Sequence, residues 1–296
     1  MKTTTQLRNM MRSGRTAVAI GAYDAFSALM VERAGFDAVY VGSYSTEAAF
    51  LGKPDLMLMS KAERLWIVRN VAKAVSVPVI ADAEEGYGNA VSVMETVRDF
   101  EATGVAGIHL DDEQIPSKCP FIEGISRTQL IETDEMCGKI EAAIHARQDP
   151  DFVIIARSDV IGSVSRQEYY ARNLIEEVVR RSNAYAEAGA DAVFVMALTL
   201  DELQYFKKNI RAPLVGIFAT VEPHPIAAFQ AAGCQITIGS LVAHYAAAKG
   251  MKDALAKLKQ TGDWNAIQDN LIDDREFFDI VQLEKYRERY LRYRVP

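Results

Sequence analysis

Eight short runs rich in β-branched residues, separated by longer amphipathic segments, constrain the fold of this chain most strongly. The runs are apolar almost throughout, which is typical of parallel strands that are covered on both faces. They lie at Thr16–Ile20, Ala38–Val41, Pro78–Asp82, Ala106–Leu110, Phe152–Arg157, Ala192–Met196, Pro213–Ile217 and Gln235–Ile238. Eight such strand–helix units predict an α/β fold of the (β/α)8 TIM-barrel type.

The segments between the runs have the periodicity of helices. The predicted helices include Ala25–Ala34, Lys61–Val75, Ala90–Ala102, Thr133–Arg147, Arg166–Ala188 and Leu241–Lys259. Several strands follow a glycine that suits the left-handed end of a helix, as in RAGFDAVYV and EAGADAVFV. A doubly wound open sheet is the main rival, but it requires a glycine-rich phosphate loop after the first strand, and GAYDAF is not one.

Composition excludes several classes of protein. The 296 residues carry a net charge of −7 without a basic stripe, which gives no support for nucleic-acid binding. Three cysteines are too few for a disulfide scaffold. The first residues lack the apolar core of a signal peptide, and no apolar run is long enough to span a membrane. We therefore expect a cytoplasmic protein that acts on a small molecule.

The chain is longer than eight strand–helix units require. We predict a barrel domain over residues 1–262 and a charged helical tail over residues 263–296. The tail carries aromatic residues at Phe277, Phe278, Tyr286, Tyr290 and Tyr293. It either caps its own barrel or packs on a second subunit.

Acidic residues follow three neighbouring strands of the predicted barrel. Asp82 and Glu84 end the third strand, Asp111 ends the fourth, and Asp55 lies in the loop after the second. Because active sites of such barrels lie at the carboxyl ends of the strands, we expect these carboxylates to meet. Crowded carboxylates repel each other unless a cation neutralises them, and hard oxygen ligands suit Mg²⁺ or Mn²⁺. The alternative is that they are ordinary solvated strand ends.

Arg157 and Cys119 are the other candidate functional residues. Arg157 ends the fifth strand and either binds a carboxylate or phosphate, or pairs internally with one of the acids. Cys119 lies in a long polar loop beside Lys118, whose charge is expected to lower the pKa of the thiol. The alternative for Cys119 is an incidental surface thiol, whereas Cys137 and Cys234 are predicted to be packing residues. His109 is predicted to be a satisfied histidine in or near the site.

These segments resemble the isocitrate lyase/phosphoenolpyruvate mutase superfamily over nearly the whole chain, most closely its small bacterial members. The resemblance is carried by GAYDAFSA, YVGSYS, LGKPD, PVIADAEEGYGN, GIHLDDEQIPSKCPFIEG, DEMCGKIEAAIHAR and IIARSD. It implies a barrel that forms a homotetramer, with the C-terminal helix exchanged between subunits. It also implies a Mg²⁺ cofactor, which Mn²⁺ can replace.

The resemblance assigns roles to individual residues. It implies that Asp55, Asp82, Glu84 and Asp111 hold the metal, some of them through water. It implies that the substrate is bound by Tyr40, Gly42, Ser43, Tyr44, Asp82 and Arg157. The loop from Glu113 to Arg127 matches a mobile gate over the site.

The gate and two strand ends depart from the lyase pattern. Lyases of this superfamily carry Lys-Lys/Arg-Cys-Gly-His in the gate, where this chain has Ser117-Lys118-Cys119-Pro120-Phe121. Met196 stands where lyases have a glutamate, and Ile217 stands where they have an asparagine. Those polar groups help to hold the second carboxylate of a succinate-like product. Their loss predicts a smaller or less polar leaving half, and little activity on 2-methylisocitrate.

The retained cysteine favours a Mg-dependent lyase that cleaves or forms a C–C bond in a 2-hydroxy or 2-oxo acid. Cys119, with Lys118 beside it and Arg157 on the substrate, is the expected acid that protonates the departing carbanion. The reaction would have a pyruvate- or glyoxylate-like product and an enolate-like intermediate. One alternative is a phosphonopyruvate- or phosphoenolpyruvate-type mutase or hydrolase, or an oxaloacetate decarboxylase. The other is a non-catalytic protein that binds a metal and an oxoacid. Specificity is expected to depend on residues such as Tyr44, Tyr87, Phe121, Met196, Phe218 and Pro223.

Overall fold

The computed structural model describes residues 1–120, 122, 127–217 and 224–294. Its centre is a closed barrel of eight parallel strands in sequential order. The strands are β1 Ala17–Gly21, β2 Ala38–Val41, β3 Val79–Asp82, β4 Gly107–Asp111, β5 Val153–Ser158, β6 Ala192–Val195, β7 Leu214–Ile217 and β8 Ile236–Gly239. The barrel closes where β1 pairs with β8, with Ala17 opposite Ile236. The predicted TIM-type fold and all eight predicted strands are confirmed.

Helices surround the barrel in the described part of the chain. They are α1 Thr3–Arg12, α2 Ala25–Arg33, α3 Ser43–Leu51, α4 Lys61–Ala74, α5 Ala90–Glu101, α6 Thr133–Ala146, α7 Arg166–Ala171, α8 Ile175–Glu187, α9 Leu200–Asn209, α10 Ile226–Ala231, α11 Val242–Thr261, α12 Asp274–Ile280 and α13 Leu283–Tyr293. Short 3₁₀ helices lie at Val160–Ser163 and Trp264–Asn270. The prediction of one helix over Arg166–Ala188 is wrong, because the chain turns through the left-handed region at Asn173 (φ 50°) between α7 and α8.

Polar caps and two apolar layers explain why these segments form these elements. Asp24 and Ser60 cap α2 and α4 by accepting a backbone N–H of the first turn. One apolar layer fills the barrel interior and includes Tyr40 and Phe194. The other lies between the strands and the helices. Both faces of the strands are therefore buried, as their continuous apolar sequence predicted.

The C-terminal segment is helical, as predicted, but packs only in part on its own barrel. In α12, Phe277 lies 5.6 Å from the ring of Phe26, and Asp279 pairs with Arg33 of α2. By contrast, α11 and α13 have no buried residue in the single chain. No helix in the described part of the chain is long and apolar enough to cross a membrane.

Candidate active site

One cavity of about 880 Å³ opens at the carboxyl ends of the strands. Cavities of this size are typical of small-molecule sites. Ten of the predicted site residues line it: Tyr40, Gly42, Ser43, Tyr44, Asp55, Glu84, Asp111, Lys118, Cys119 and Arg157. Asp82, the remaining predicted residue, is buried (1% exposed) and bonds to this wall through Ser43. The structure thus brings together residues that are more than a hundred positions apart in the sequence.

The turn from β2 into α3 holds two of the carboxylates. The Ser43 backbone N–H donates to Asp82 Oδ2 at 3.0 Å, and the Ser43 hydroxyl donates to Asp55 Oδ2 at 3.0 Å. Gly42 is required here because a Cβ at this position would lie 2.7 Å from Cε1 of Tyr40. The first turn of α3 lines the cavity, and backbone N–H groups at a helix N-terminus favour an anion.

A first acidic cluster comprises Asp82, His109 and Asp111, all of which are buried. His109 Nδ1 lies 2.7 Å from Asp111 Oδ1, and its Nε2 lies 3.0 Å from the Tyr40 hydroxyl. The second nitrogen also lies 3.7 Å from Asp82 Oδ1. His109 is thus a satisfied histidine beside the site, as the sequence predicted. Since both of its ring nitrogens already have partners, the carboxylates are the ligands that this cluster offers.

A second acidic cluster comprises Glu47, Asp55 and Glu84, which are also buried. The four carboxylates predicted to hold a metal are therefore divided between two adjacent clusters that Ser43 connects. Glu47 was not predicted, and its side chain accepts the backbone N–H groups of Leu58 and Met59 at 2.9 and 3.1 Å. It thereby fixes the loop that carries Asp55.

The electrostatics of the clusters are those of crowded carboxylates. Burial, with Asp82 nearby, raises the pKa of Asp55 to about 7 and also raises the pKa of Glu84. Burial alone would raise the pKa of Asp82, but His109, Arg64 and Arg157 together lower it. Burial opposes the charged form of His109, yet Asp82 and Asp111 raise the pKa of its ring.

Arg157 forms the internal ion pairs that were one of its two predicted roles. Its Nε donates to Asp159 Oδ1 at 3.0 Å, and its Nη1 lies 3.4 Å from Asp111 Oδ2. Its guanidinium also stacks over the ring of Phe194, with 5.2 Å from Cζ to the ring centroid. The internal ion pairs hold the side chain in place while it lines the cavity.

The described start of the Glu113–Arg127 loop, the predicted gate, lies against the acidic clusters. The Ser117 hydroxyl donates to Glu84 Oε2 at 2.9 Å, and the Lys118 backbone N–H donates to Glu113 Oε2 at 2.9 Å. The Cys119 backbone N–H donates to the carbonyl oxygen of Asp55 at 3.3 Å. These bonds place the thiol-bearing residue at the wall of the cavity. Cys137 and Cys234 pack against the core, as predicted.

An apolar wall faces the polar one. Met196 and Ile217 line it at the ends of β6 and β7, and Leu241 and Val242 continue it after β8. The hydroxyls of Tyr44 and Tyr245 lie 3.1 Å apart, and their bond raises the pKa of Tyr44 to about 12. Tyr87 packs against the core outside the barrel instead. The predicted specificity residues Phe121, Phe218 and Pro223 lie outside the described residues.

The donor set fits a divalent cation. Four buried carboxylates converge within hydrogen-bonding networks, and two of them have pKa values raised by burial and by the charge of their neighbours. A bound cation would relieve that repulsion, and oxygen donors alone suit Mg²⁺ or Mn²⁺ better than zinc.

Sequence reasoning missed three contributors, Glu47, Arg64 and Tyr245. Glu47 and Arg64 lie on helices, where charged residues usually face solvent, so no local signal marked them as buried. Tyr245 lies on α11, about 200 positions from the Tyr44 hydroxyl it meets. Only the folded chain reveals these contacts.

Barrels whose polar side chains converge at the carboxyl ends of the strands are enzymes, and we assign the chain to that class. The family model described as phosphoenolpyruvate phosphomutase matches residues 7–259, so the chain belongs to this family. The predicted family and enzyme class are thereby confirmed.

Individual relatives are similar over nearly their whole length. The 2,3-dimethylmalate lyase of Eubacterium barkeri is 36% identical, with 97% of each chain covered. A crystal structure of a phosphoenolpyruvate phosphomutase from Streptomyces platensis matches with a TM-score of 0.89 and 32% identity, covering 98% of this chain and 99% of that one. A phosphonopyruvate hydrolase in complex with oxalate and Mg²⁺ matches with a TM-score of 0.87 and 31% identity, covering 99% of both.

Proposed function

We propose that this protein is a Mg²⁺-dependent lyase that cleaves a C–C bond in a 2-hydroxy or 2-oxo acid and releases an α-oxo acid such as pyruvate or glyoxylate. The observation that carries the proposal is the position of Cys119. Its backbone N–H bonds to the Asp55 carbonyl, so a thiol able to transfer a proton lies at the cavity wall beside the acidic clusters. The similarity to a protein named 2,3-dimethylmalate lyase supports the same reaction class.

Asp55, Asp82, Glu84 and Asp111 would hold the metal. A divalent ion bound there supplies Lewis-acid stabilisation of the negative charge that develops on the oxo-acid oxygens. The match to a hydrolase structure that contains oxalate and Mg²⁺ supports this choice of ion and of ligand class.

The chain's own residues bind and orient the oxo acid. Arg157, which Asp159 and Asp111 hold in place, is oriented to pair with a substrate carboxylate. Gly42, Ser43 and Tyr44 border the same end of the substrate at the first turn of α3. The Ser43 N–H is already bonded to Asp82, so the other N–H groups of this turn would meet the substrate. Tyr40 forms the wall beneath them. Cys119, with Lys118 beside it, donates the proton that the departing carbanion requires.

The apolar wall restricts which leaving groups of a substrate the cavity can accept. A charged carboxylate buried against Met196 and Ile217 would lose its hydration without gaining a partner there. We therefore propose that the leaving half carries apolar substituents in this region. The tricarboxylate 2-methylisocitrate should accordingly be a poor substrate.

The test is a substrate panel combined with Cys119→Ser. Screening 2-hydroxy and 2-oxo acids for release of pyruvate or glyoxylate should identify a substrate with an apolar leaving half. Cys119→Ser should then lower kcat by roughly 100-fold or more, in the range of general acid–base contributions, and leave oxalate binding nearly intact. Wild-type turnover in Cys119→Ser would exclude the thiol as the acid.

Phosphonate hydrolysis is the second candidate. It is favoured by the similarity to phosphonopyruvate hydrolase and by the altered flanks of Cys119, where serine and proline stand. A phosphonate would be expected to need more cationic groups than Lys118 and Arg157 provide. Phosphorus NMR with phosphonopyruvate separates the two reactions, because only the hydrolase or mutase changes the phosphorus signal. Oxalate binding without any product would instead indicate a binding protein.

We also propose a homotetramer in which the C-terminal helix is exchanged between subunits. The support is the absence of buried residues in α11 and α13 of the single described chain. Exposed aromatic residues on α13, among them Tyr286, Tyr290 and Tyr293, would then pack on a partner.

A further inference from the structure

A buried arginine lies within the second acidic cluster. Arg64 belongs to α4, on the outside of the barrel, yet its side chain is completely buried. A buried cation is unfavourable unless it is paired and hydrogen-bonded. Its partners therefore indicate its role.

The partners of Arg64 are two members of that cluster. Nη2 lies 2.9 Å from Glu84 Oε1 and 3.9 Å from Glu47 Oε1, and Nη1 contacts the hydroxyl of Thr46. The guanidinium thus lies among the same oxygens that would otherwise be able to hold a metal ion. An arginine remains charged at all ordinary pH values, so it is a permanent counter-ion for these acids.

Arg64 also fixes the orientation of Glu84. The Glu84 backbone has a φ of 52°, in the left-handed region, and its N–H donates to Asp82 Oδ1 at 2.9 Å. One carboxylate oxygen is held by Arg64, and the other accepts the hydroxyl of Ser117 in the gate. The chain Arg64–Glu84–Ser117 therefore connects α4 to the docked gate through a predicted metal-site carboxylate.

We propose that Arg64 is a positioning residue that serves as the resident cation of the Glu47–Asp55–Glu84 cluster and limits the active site to a single divalent ion. This inference rests on the metal site of the proposed function. It adds that the chain itself balances part of the charge of the Glu47–Asp55–Glu84 cluster, two members of which, Asp55 and Glu84, would also hold that metal. Without Arg64, the second cluster would take up a second divalent ion, and Glu84 would lose the orientation that the gate requires.

The experiment counts bound Mn²⁺ per chain by electron paramagnetic resonance and calorimetry, so it needs no activity assay. The wild type and Arg64→Lys, which keeps the charge, should bind one ion. Arg64→Met and Arg64→Gln, which remove it, should bind a second.

Arg147→Met is the matched control for a lost ion pair. Arg147 pairs with Asp191 at 2.7 Å at the opposite end of the barrel, so its replacement should leave the count at one. If the neutral Arg64 variants unfold without metal, Mn²⁺ should restore their folding more than it stabilises the wild type, because the ion replaces the missing cation.

The outcomes distinguish this inference from the proposed function. No ion in the wild type would overturn the proposed metal site itself. One ion in the wild type and still only one in folded Arg64→Met and Arg64→Gln would overturn the role of Arg64 alone. A second ion in the wild type or in Arg64→Lys, or neutral variants that stay unfolded at saturating Mn²⁺, would overturn it equally.

Discussion

At the scale of single residues, the cavity has a polar half, lined by Asp55, Glu84 and Arg157 among others, and an apolar half. The polar half is held by short bonds such as Ser43 to Asp55 and Ser117 to Glu84. The apolar half includes Met196 and Ile217, whose side chains offer no hydrogen bond to a substrate. Each half can be tested separately.

Replacing Ile217 by asparagine should broaden specificity toward charged leaving groups. An amide at the end of β7 offers a hydrogen bond to a carboxylate, and such a bond to a charged group is worth about 1.5–3 kcal/mol. We expect kcat/KM for substrates with a carboxylate on the leaving half to rise roughly tenfold relative to apolar ones. Ile217→Val is the control and should leave the ratio unchanged. An equal change in both variants would contradict the prediction.

Asp159 should give the metal-free protein a specific pH dependence. It is completely buried, and burial, with help from Asp111 and Asp112, raises its pKa from 3.8 to about 7. Between these values the folded chain retains a proton that the unfolded chain has released. The contribution of Asp159 to stability is therefore present at low pH and is lost as the pH rises toward about 7.

Urea unfolding of the wild type and Asp159→Asn, in chelator across this pH window, measures the effect. Between these pKa values, the wild type should lose stability relative to the variant by about 1.4 kcal/mol per pH unit, since one proton is involved. The asparagine can still accept the bond from Arg157, so the comparison isolates the charge. A difference that does not change with pH would show that Asp159 titrates normally.

At the scale of elements, the gate is held by contacts that join three loops. Ser117 and Cys119 of this loop bond to Glu84 and Asp55. Just after the loop, the Thr128 N–H donates to the carbonyl of Gly162 in the 3₁₀ helix Val160–Ser163 at 3.2 Å. Pro120 lies close to Gly162. A Cβ added at position 162 would be only 2.4 Å from the Cβ of Pro120. The observed position of this loop therefore requires a glycine at position 162.

Gly162→Ala should prevent the gate from docking. The methyl group displaces Pro120 and with it Cys119, so kcat/KM should fall by roughly 10–100-fold, because small displacements of a catalytic group have effects of this size. Digestion within the gate by a protease should become faster. Gly138→Ala is the control, since a Cβ at that position in α6 has no neighbour within 4 Å. Equal kinetics in the two variants would exclude a latch at Gly162.

Much of this arrangement could be predicted from the sequence because each barrel strand has a local signal. Apolar runs indicated the strands, and the fold rule then placed Asp82 and Asp111 at one mouth. The burial of individual charged side chains depends instead on packing that has no local signal. Arg64 has the sequence context of a solvated helical arginine, and its burial arises only because α4 lies against the end of β3. The division of the four carboxylates into two clusters depends on the two bonds that Ser43 makes and on the left-handed backbone of Glu84, neither of which has a local sequence signal.

At the scale of the whole molecule, the barrel leaves one side uncovered. Along α11, Met251 and Leu255 are 63% and 60% exposed and lie four residues apart, on one face of the helix. On α13, Tyr290 is 72% exposed. Large apolar side chains grouped in this way are typical of a protein interface and costly in a monomer. The same helix also reaches the cavity, because Tyr245, at the start of α11, both lines it and bonds to Tyr44.

Charging this face should therefore reduce both the assembly and the activity. We expect light scattering to show a tetramer for the wild type and smaller species for Leu255→Glu, because a carboxylate buried at an interface without a partner is strongly unfavourable. Gln260→Glu adds the same charge to the exposed end of the same helix and should leave the mass unchanged. Since α11 carries Tyr245 into the cavity, turnover should fall together with the mass in Leu255→Glu. A wild type that is already monomeric, or a Leu255→Glu variant that remains tetrameric, would show that the exposed face of α11 does not join subunits.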